Sequence, residues 1–140
     1  MKNLLQTLLL ALLLPATGFL AQAQSQKEPP TAEESAAMES ERLEKALKLE
    51  DWQVFYVDST LRHDFVGMEA EIKEMQTAKV GNYGLYLRIQ DKWFIRIEES
   101  FKKFFTEAQW KKFIKSGMSS AHRESFKRRE KEAKKAAKNK

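Results

Sequence analysis

The sequence predicts an all-α protein: a long antiparallel α-hairpin with additional helices flanking it. Three observations point there. Glycine and proline are scarce, five and three in 140 residues, too few for a chain of many strands and turns. Apolar residues recur at spacings of three and four through most of the chain, which is the helical period. Helix-start chemistry appears twice in related form, as Leu47-Lys-Leu49-Glu-Asp-Trp-Gln53 and as Phe105-Thr106-Glu-Ala-Gln109, with the two glutamines 56 positions apart.

Residues 1–23 read as a signal peptide. Lys2 gives a positive start, Leu4 to Leu14 form an apolar run broken only by Gln6 and Thr7, and Pro15 ends it. Ala21-Gln-Ala23 is the small-x-small pattern that places cleavage after Ala23. The apolar run is shorter than the ~20 residues a membrane-spanning helix needs. No Cys stands near the cleavage site to carry a lipid. The expected product is exported and periplasmic, and with no cysteine at all it is held by packing and association rather than by disulfides.

Residues 24–30 form a polar leader, and the helical domain is expected over residues 31–126. Thr31-Ala-Glu-Glu34 is a capping box directly after Pro29-Pro30, and a helix follows from Ala32 to about Leu49. Its acids (Glu33, Glu34, Glu39) lie near the start and its bases (Lys45, Lys48) near the end, the order the helix dipole favours. From Asp51 to about Lys79, Val54, Val57, Leu61, Phe65, Met68, Ile72 and Met75 make a heptad-type seam. Such a helix is about 43 Å long and stays half-exposed in a domain of this size. Gly81-Asn-Tyr-Gly84 supplies the turn, through residues that tolerate left-handed backbone angles.

The next helix covers Leu85 to Phe104, with Leu87, Phe94 and Phe101 seven apart, as are Gln90, Ile97 and Phe104. Thr106 with Gln109 is a capping box and Phe105 with Trp110 a hydrophobic staple. Trp110, Phe113, Ile114, Gly117, Met118 and Ala121 carry an apolar face on to about Phe126. Residues 127–140 are a basic C-terminal tail, expected as a helix that fades out.

Charge divides the chain. Residues 24–74 hold 6 Lys/Arg against 13 Asp/Glu, and residues 75–140 hold 18 against 7. Antiparallel segments or antiparallel subunits of such a chain attract one another. In an exported protein the basic tail is expected to meet an anionic membrane surface or an acidic partner, with no nucleic-acid role. A solubilising tail is the plainer reading.

No catalytic constellation is present, and the chain is not expected to be an enzyme or to need a cofactor. His63-Asp64 are neighbours about 100° apart on a helix, a poor geometry for one to orient the other. His122 lies in a basic, Ser-rich stretch without a nucleophile spaced to help it. No ligand-spaced metal motif occurs. What simple helix packing leaves over is aromatic surface, and excess apolar surface on a small protein marks a binding face or an oligomer interface.

The two motif copies resemble those of the LTxxQ-motif (Spy/CpxP-like) family of small periplasmic helical proteins, over about Leu47 to Phe126. Leu49 and Gln53 match the first copy, and Phe105, Thr106 and Gln109 the second. Glu50 stands where the family has Thr, which predicts a lost capping box and lets the first two helices run together. Phe105 replaces Leu at a staple position. The resemblance implies an elongated dimeric cradle of α-hairpins that holds unfolded protein clients without ATP, and in some members damps an envelope sensor. Trp52, Phe55, Tyr56, Phe94, Ile97 and Phe101 are the expected client-binding surface, with Arg88, Arg96 and Lys103 supplying charge. The alternative is a non-catalytic adaptor with one dedicated envelope partner.

Overall fold

The computed structural model describes residues 28–139; the expected signal peptide and most of the polar leader lie outside them. The described residues are all-helical, without a strand: α1 (Ala32–Leu47), α2 (Asp51–Thr77), α3 (Tyr83–Phe104), α4 (Glu107–Lys112), a π-helical turn (Phe113–Gly117) and α5 (Ser120–Lys138).

Local chemistry sets most boundaries. Thr31 closes its capping box, donating its N–H to Glu34 Oε2 at 2.9 Å while its Oγ1 accepts from Glu34 N at 3.1 Å. Helix α1 ends two residues before the expected Leu49, because Lys48 turns left-handed at φ 53°. The expectation that α1 and α2 run together is therefore corrected. So is the lost capping box: a box forms at Glu50, with Gln53 Oε1 taking the Glu50 N–H at 3.0 Å. A carboxylate does here what the hydroxyl does in Thr106, helped by the positive end of the helix dipole.

The turn after α2 also differs from expectation. The left-handed residue is Lys79, at φ 54°, and no described glycine has positive φ. Asn82 works as the N-cap of α3, its Oδ1 accepting from Gly84 N at 2.9 Å and Leu85 N at 3.3 Å, so the helix begins at Tyr83 rather than Leu85. A short polar acceptor just ahead of a helix satisfies orphan amides, which outcompetes a looser turn.

The core is one cluster drawn from every element except α4 and α5. Ala36, Leu43 and Leu47 from α1 meet Val57 and Leu61 from α2 and Phe94, Ile97 and Phe101 from α3, closed by Phe105, Phe113 and Met118. Phe101 sits among three rings, with centroids 5.7 Å from Phe104, 4.9 Å from Phe105 and 5.5 Å from Phe113. The seam predicted on α2 is buried only in its first half. Val57 and Leu61 are covered, whereas Met68, Ile72 and Met75 are half-exposed, since the core partners stop short of them.

Contacts between α2 and α3 run in opposite order along the two helices. Gln53 reaches Phe104, Asp64 meets Arg96 and Glu71 meets Lys92. Gly67 belongs to the same series. A Cβ built there would lie 2.4 Å from Trp93 Cη2, so the missing side chain is what lets the indole lie on α2 and donate its Nε1–H to Glu71 Oε2 at 2.8 Å. Gly67→Ala is expected to push the indole out and to lower stability by about 1–3 kcal/mol. Thermal melts followed by circular dichroism measure it, and an unchanged melting temperature would show that the indole contact contributes nothing.

The apolar run expected from Trp110 to Phe126 is not one helix. A π-helical turn widens the backbone at Phe113–Gly117, and Met118 and Ser119 break it before α5. The Gly117 carbonyl accepts from Arg42 on α1, so the widened turn is tied back to the start of the chain. The basic tail is helical, as expected: it is the second half of α5, which continues to Lys138.

Candidate functional site

The two glutamines of the near-repeat meet. Gln53 Nε2 donates to Gln109 Oε1 at 2.7 Å and to the Phe104 carbonyl at 2.8 Å, while Gln109 Nε2 donates to Gln53 Oε1 at 3.0 Å. Each Oε1 also caps its own helix, taking the N–H of Glu50 at 3.0 Å and of Thr106 at 2.9 Å. All four hydrogen-bonding positions of the Gln53 amide are thus used, which suits a side chain only 2 % exposed. This pair fixes the start of α2 against the α3–α4 corner.

That corner presents an aromatic face. Trp52, Phe55 and Tyr56 occupy the first turns of α2 and are 49 %, 67 % and 51 % exposed. Gln53 and Val57 point inward from the same turns, so the helical period turns the three rings outward. The rings support each other: Trp52 and Phe55 each meet Tyr56 edge-on, at 6.3 and 5.6 Å, and Tyr56 stacks on Phe104 at 5.8 Å. Glu50 Oε2 holds the Trp52 indole N–H at 2.7 Å. Trp52, Tyr56 and Thr60 on one side, with Ser100, Lys103 and Phe104 on the other, line an open cleft of ≈ 460 Å³. The cleft is apolar in its walls, with a lysine at its rim.

Three of the residues expected on the client surface belong elsewhere. Phe94, Ile97 and Phe101 are buried, at 3 %, 0 % and 0 % exposure, and they cannot touch a client in this fold. Their seven-residue periodicity with Leu87 and Phe104 is a core stripe. Lys103 is at the cleft. Arg88 is exposed, well along α3 from it. Arg96 lies beside Trp93, its guanidinium 5.0 Å from the ring centroid, and 3.7 Å from the buried Asp64 carboxylate. Thr60, Ser100 and Phe104 are cleft residues that the sequence reading left out. The i, i+4 steps Trp52–Tyr56–Thr60 and Ser100–Phe104 were the signal that could have found them.

A second open surface borders Phe94. Phe65, Met68 and Ile72 of α2, with Pro30, Phe94 and Ala121, wall a groove of ≈ 470 Å³. Met68 and Ile72, from the uncovered half of the α2 seam, lie here. Both are half-exposed.

Both histidines are placed by carboxylates. His63 Nδ1 is 2.8 Å from Asp64 Oδ1, so the neighbouring Asp does engage the ring, contrary to expectation. The His63 side chain remains 71 % exposed. His122 is buried and stacked on Phe94 at 4.3 Å. Its Nε2 meets Glu98 Oε1 at 2.8 Å, and Arg129 grips both oxygens of the same carboxylate. Among the described residues no group of three or more His, Asp or Glu is gathered in a way that could hold a metal ion.

Burial is the largest influence on the Glu98 carboxyl and pushes its pKa up. Hydrogen bonds from His122 and Arg129, with the Arg129 charge, together outweigh it, so the group titrates below its ordinary 4.5. A folded pKa below the unfolded one stabilises the fold fully above the unfolded value and loses that contribution as pH falls through the folded value. Glu98→Gln is expected to lower the melting temperature at neutral pH and to flatten its fall as pH drops below the ordinary carboxyl value of 4.5. Parallel melting curves for the two proteins across that range would show that Glu98 is not the group responsible.

Among the described residues, fold and site together make an all-helical frame, pinned by buried polar groups, with open apolar clefts on its surface. Among the described residues no helix is long and apolar enough to cross a membrane. No family model matches the chain, and no curated protein or solved structure matches it.

Proposed function

We infer that this protein is a periplasmic, ATP-independent holding chaperone that binds unfolded or partly folded protein chains. The observation that carries the reading is the exposed Trp52–Phe55–Tyr56 face with its lysine-rimmed cleft. Three large rings on two turns of one helix, stacked on a fourth and held in place by Glu50 and Phe104, are an arrangement that core formation does not require. Soluble proteins rarely leave such apolar clusters open without a use. Aromatic walls beside a lysine offer weak, interchangeable contacts to apolar and acidic side chains, and Met68 in the second groove adds an adaptable one.

The proposal has an architecture. Helices α2 and α3 are its antiparallel hairpin, and two copies pairing through their oppositely charged halves are its dimeric cradle, as the LTxxQ-type resemblance implies. The meeting of Gln53 with Gln109 supports that resemblance, because it gives both motif copies one joint purpose. Export by residues 1–23 would place the holding surface in the envelope, where nucleotide is absent and binding has to work by equilibrium alone.

The test is light scattering from a thermally unfolding client with the chain from Gln24 onward, without nucleotide. Near-equimolar protein is expected to suppress aggregation, and Trp52→Ala with Tyr56→Ala to remove at least half of that suppression while the melting temperature holds. Undiminished suppression in the double variant would reject the aromatic site. No suppression by the parent protein would reject the holding function itself.

A further inference from the structure

The two halves of α5 serve different ends. The first is pinned to the body: His122 and Ser125 are buried, Arg128 pairs with Asp91, and Arg129 pairs with Glu98. From Glu130 to Lys138 every residue is exposed, so the helix leaves the body for about 13 Å. At 100° per residue, Lys127, Lys131, Lys134 and Lys138 fall within a sector of about 60°, opposite the side that carries Ser125 and Arg129 to the body. With Lys135 and Glu130 they line one continuous surface. No described carboxylate forms an ion pair with any of the five lysines.

This arrangement is costly when the protein is alone. The outer half has no packed face to stabilise it, and Lys127–Lys131, Lys131–Lys135 and Lys134–Lys138 are like charges one turn apart, an opposition that Glu130 and Glu132 offset only in part against five lysines. A polyanion on the lysine face removes that repulsion. We propose that the outer half of α5 docks the protein on an anionic lipid surface.

The face is straight, one-sided and made of lysines, which suits a plane of headgroups. Ala133, Ala136 and Ala137 offer no wedge, so the helix lies on the surface and does not insert. A nucleic acid is the poorer match. The segment has no aromatic side chain for base stacking and no arginine; the nearest arginines, Arg128 and Arg129, are held by Asp91 and Glu98. The choice of lipid also rests on the export reading of residues 1–23.

The experiment is vesicle co-sedimentation of the chain from Gln24 onward, with phosphatidylcholine vesicles and with equimolar phosphatidylcholine and phosphatidylglycerol. Partition is expected onto the anionic vesicles only, and it is expected to vanish in high salt, where the Debye length is about 3 Å. Lys131→Gln, Lys134→Gln and Lys138→Gln together are expected to weaken it about 100-fold, while the same three positions as Arg keep it. The replaced side chains touch nothing in the body, so an unchanged melting temperature verifies the fold. Equal binding to neutral vesicles, or undiminished binding by the Gln variant, would overturn the proposal. Tighter binding to duplex DNA than to anionic vesicles, at equal phosphate and salt, would overturn it in favour of a nucleic-acid partner. The assay contains no unfolded client, so its failure and the failure of the holding function are read separately.

Discussion

Phe101→Ala is expected to destabilise the protein by about 3–5 kcal/mol, among the largest losses a single side chain can cause here. Phe101 is fully buried and stands in contact with Phe104, Phe105 and Phe113. Removing it opens a hole where α3, the α4 corner and the π-helical turn converge. The neighbouring rings are held by others: Phe113 also packs on Trp110 at 5.5 Å and on His122 at 5.4 Å, so collapse into the hole is restricted. Urea titration at neutral pH measures the effect. A small loss with an unchanged denaturant slope would mean that the cluster repacks. Ile97, equally buried but aliphatic, serves as a comparison, with a loss of about 2–5 kcal/mol on truncation to Ala.

Gln53→Leu is expected to cost about 2–4 kcal/mol, although leucine fills much the same space. The loss comes from partners left behind: the Phe104 carbonyl, the Glu50 N–H and the Gln109 side chain. A buried polar group deprived of its partner costs about 1–3 kcal/mol. Gln109→Leu is expected to cost less, because Gln109 is only half-buried and water can reach its partners. A double-mutant cycle isolates the pair, and a coupling of about 0.5–3 kcal/mol is expected for side chains in direct contact. Additive losses would show that the two glutamines cap their own helices independently. The same variants bear on function. The pair fixes the turn that carries Trp52, Phe55 and Tyr56, so Gln53→Leu is expected to blunt the aromatic cleft even where the protein stays folded.

Much of the fold was legible because it is written in local chemistry. Thr31 with Glu34, and Thr106 with Gln109, cap helices through atoms three residues apart, and a capping box needs nothing beyond its own turn. The seams of α2 and α3 are likewise periodic statements about one helix. The misreadings occurred where local signals competed. Lys79 took the left-handed conformation that a reading of Gly and Asn assigns to Gly81–Gly84, Lys48 took one where a continuous helix was expected, and Asn82 became a cap because a helix start was within reach. The continuous run from Trp110 to Phe126 hid a break, since Gly117 fits a helical apolar face as well as it fits a widened turn.

The proposed client surface was half legible for a related reason. A stripe of aromatic residues says that one side of a helix meets something apolar, without saying whether that something is another helix or open solvent. Trp52, Phe55 and Tyr56 share their turns with Gln53 and Val57, and only the neighbour on the inner side turns the three rings outward. Phe94, Ile97 and Phe101 are also large apolar residues at helical spacing, yet they are buried in the core with residues of α1, α2 and the π-helical turn.

The sequence by itself determined that the described chain is helical, where most of its helices start, and that its halves carry opposite charge, because these follow from contacts within a few residues and from simple counting. Tertiary structure alone decided the rest. It brought Gln53 to Gln109 across 56 residues, Glu98 to His122 across 24 and Asp91 to Arg128 across 37. Burial and partnering are properties of the surrounding surface, which a helical period does not encode; they arise only when several helices share one core and each is rotated to cover the others.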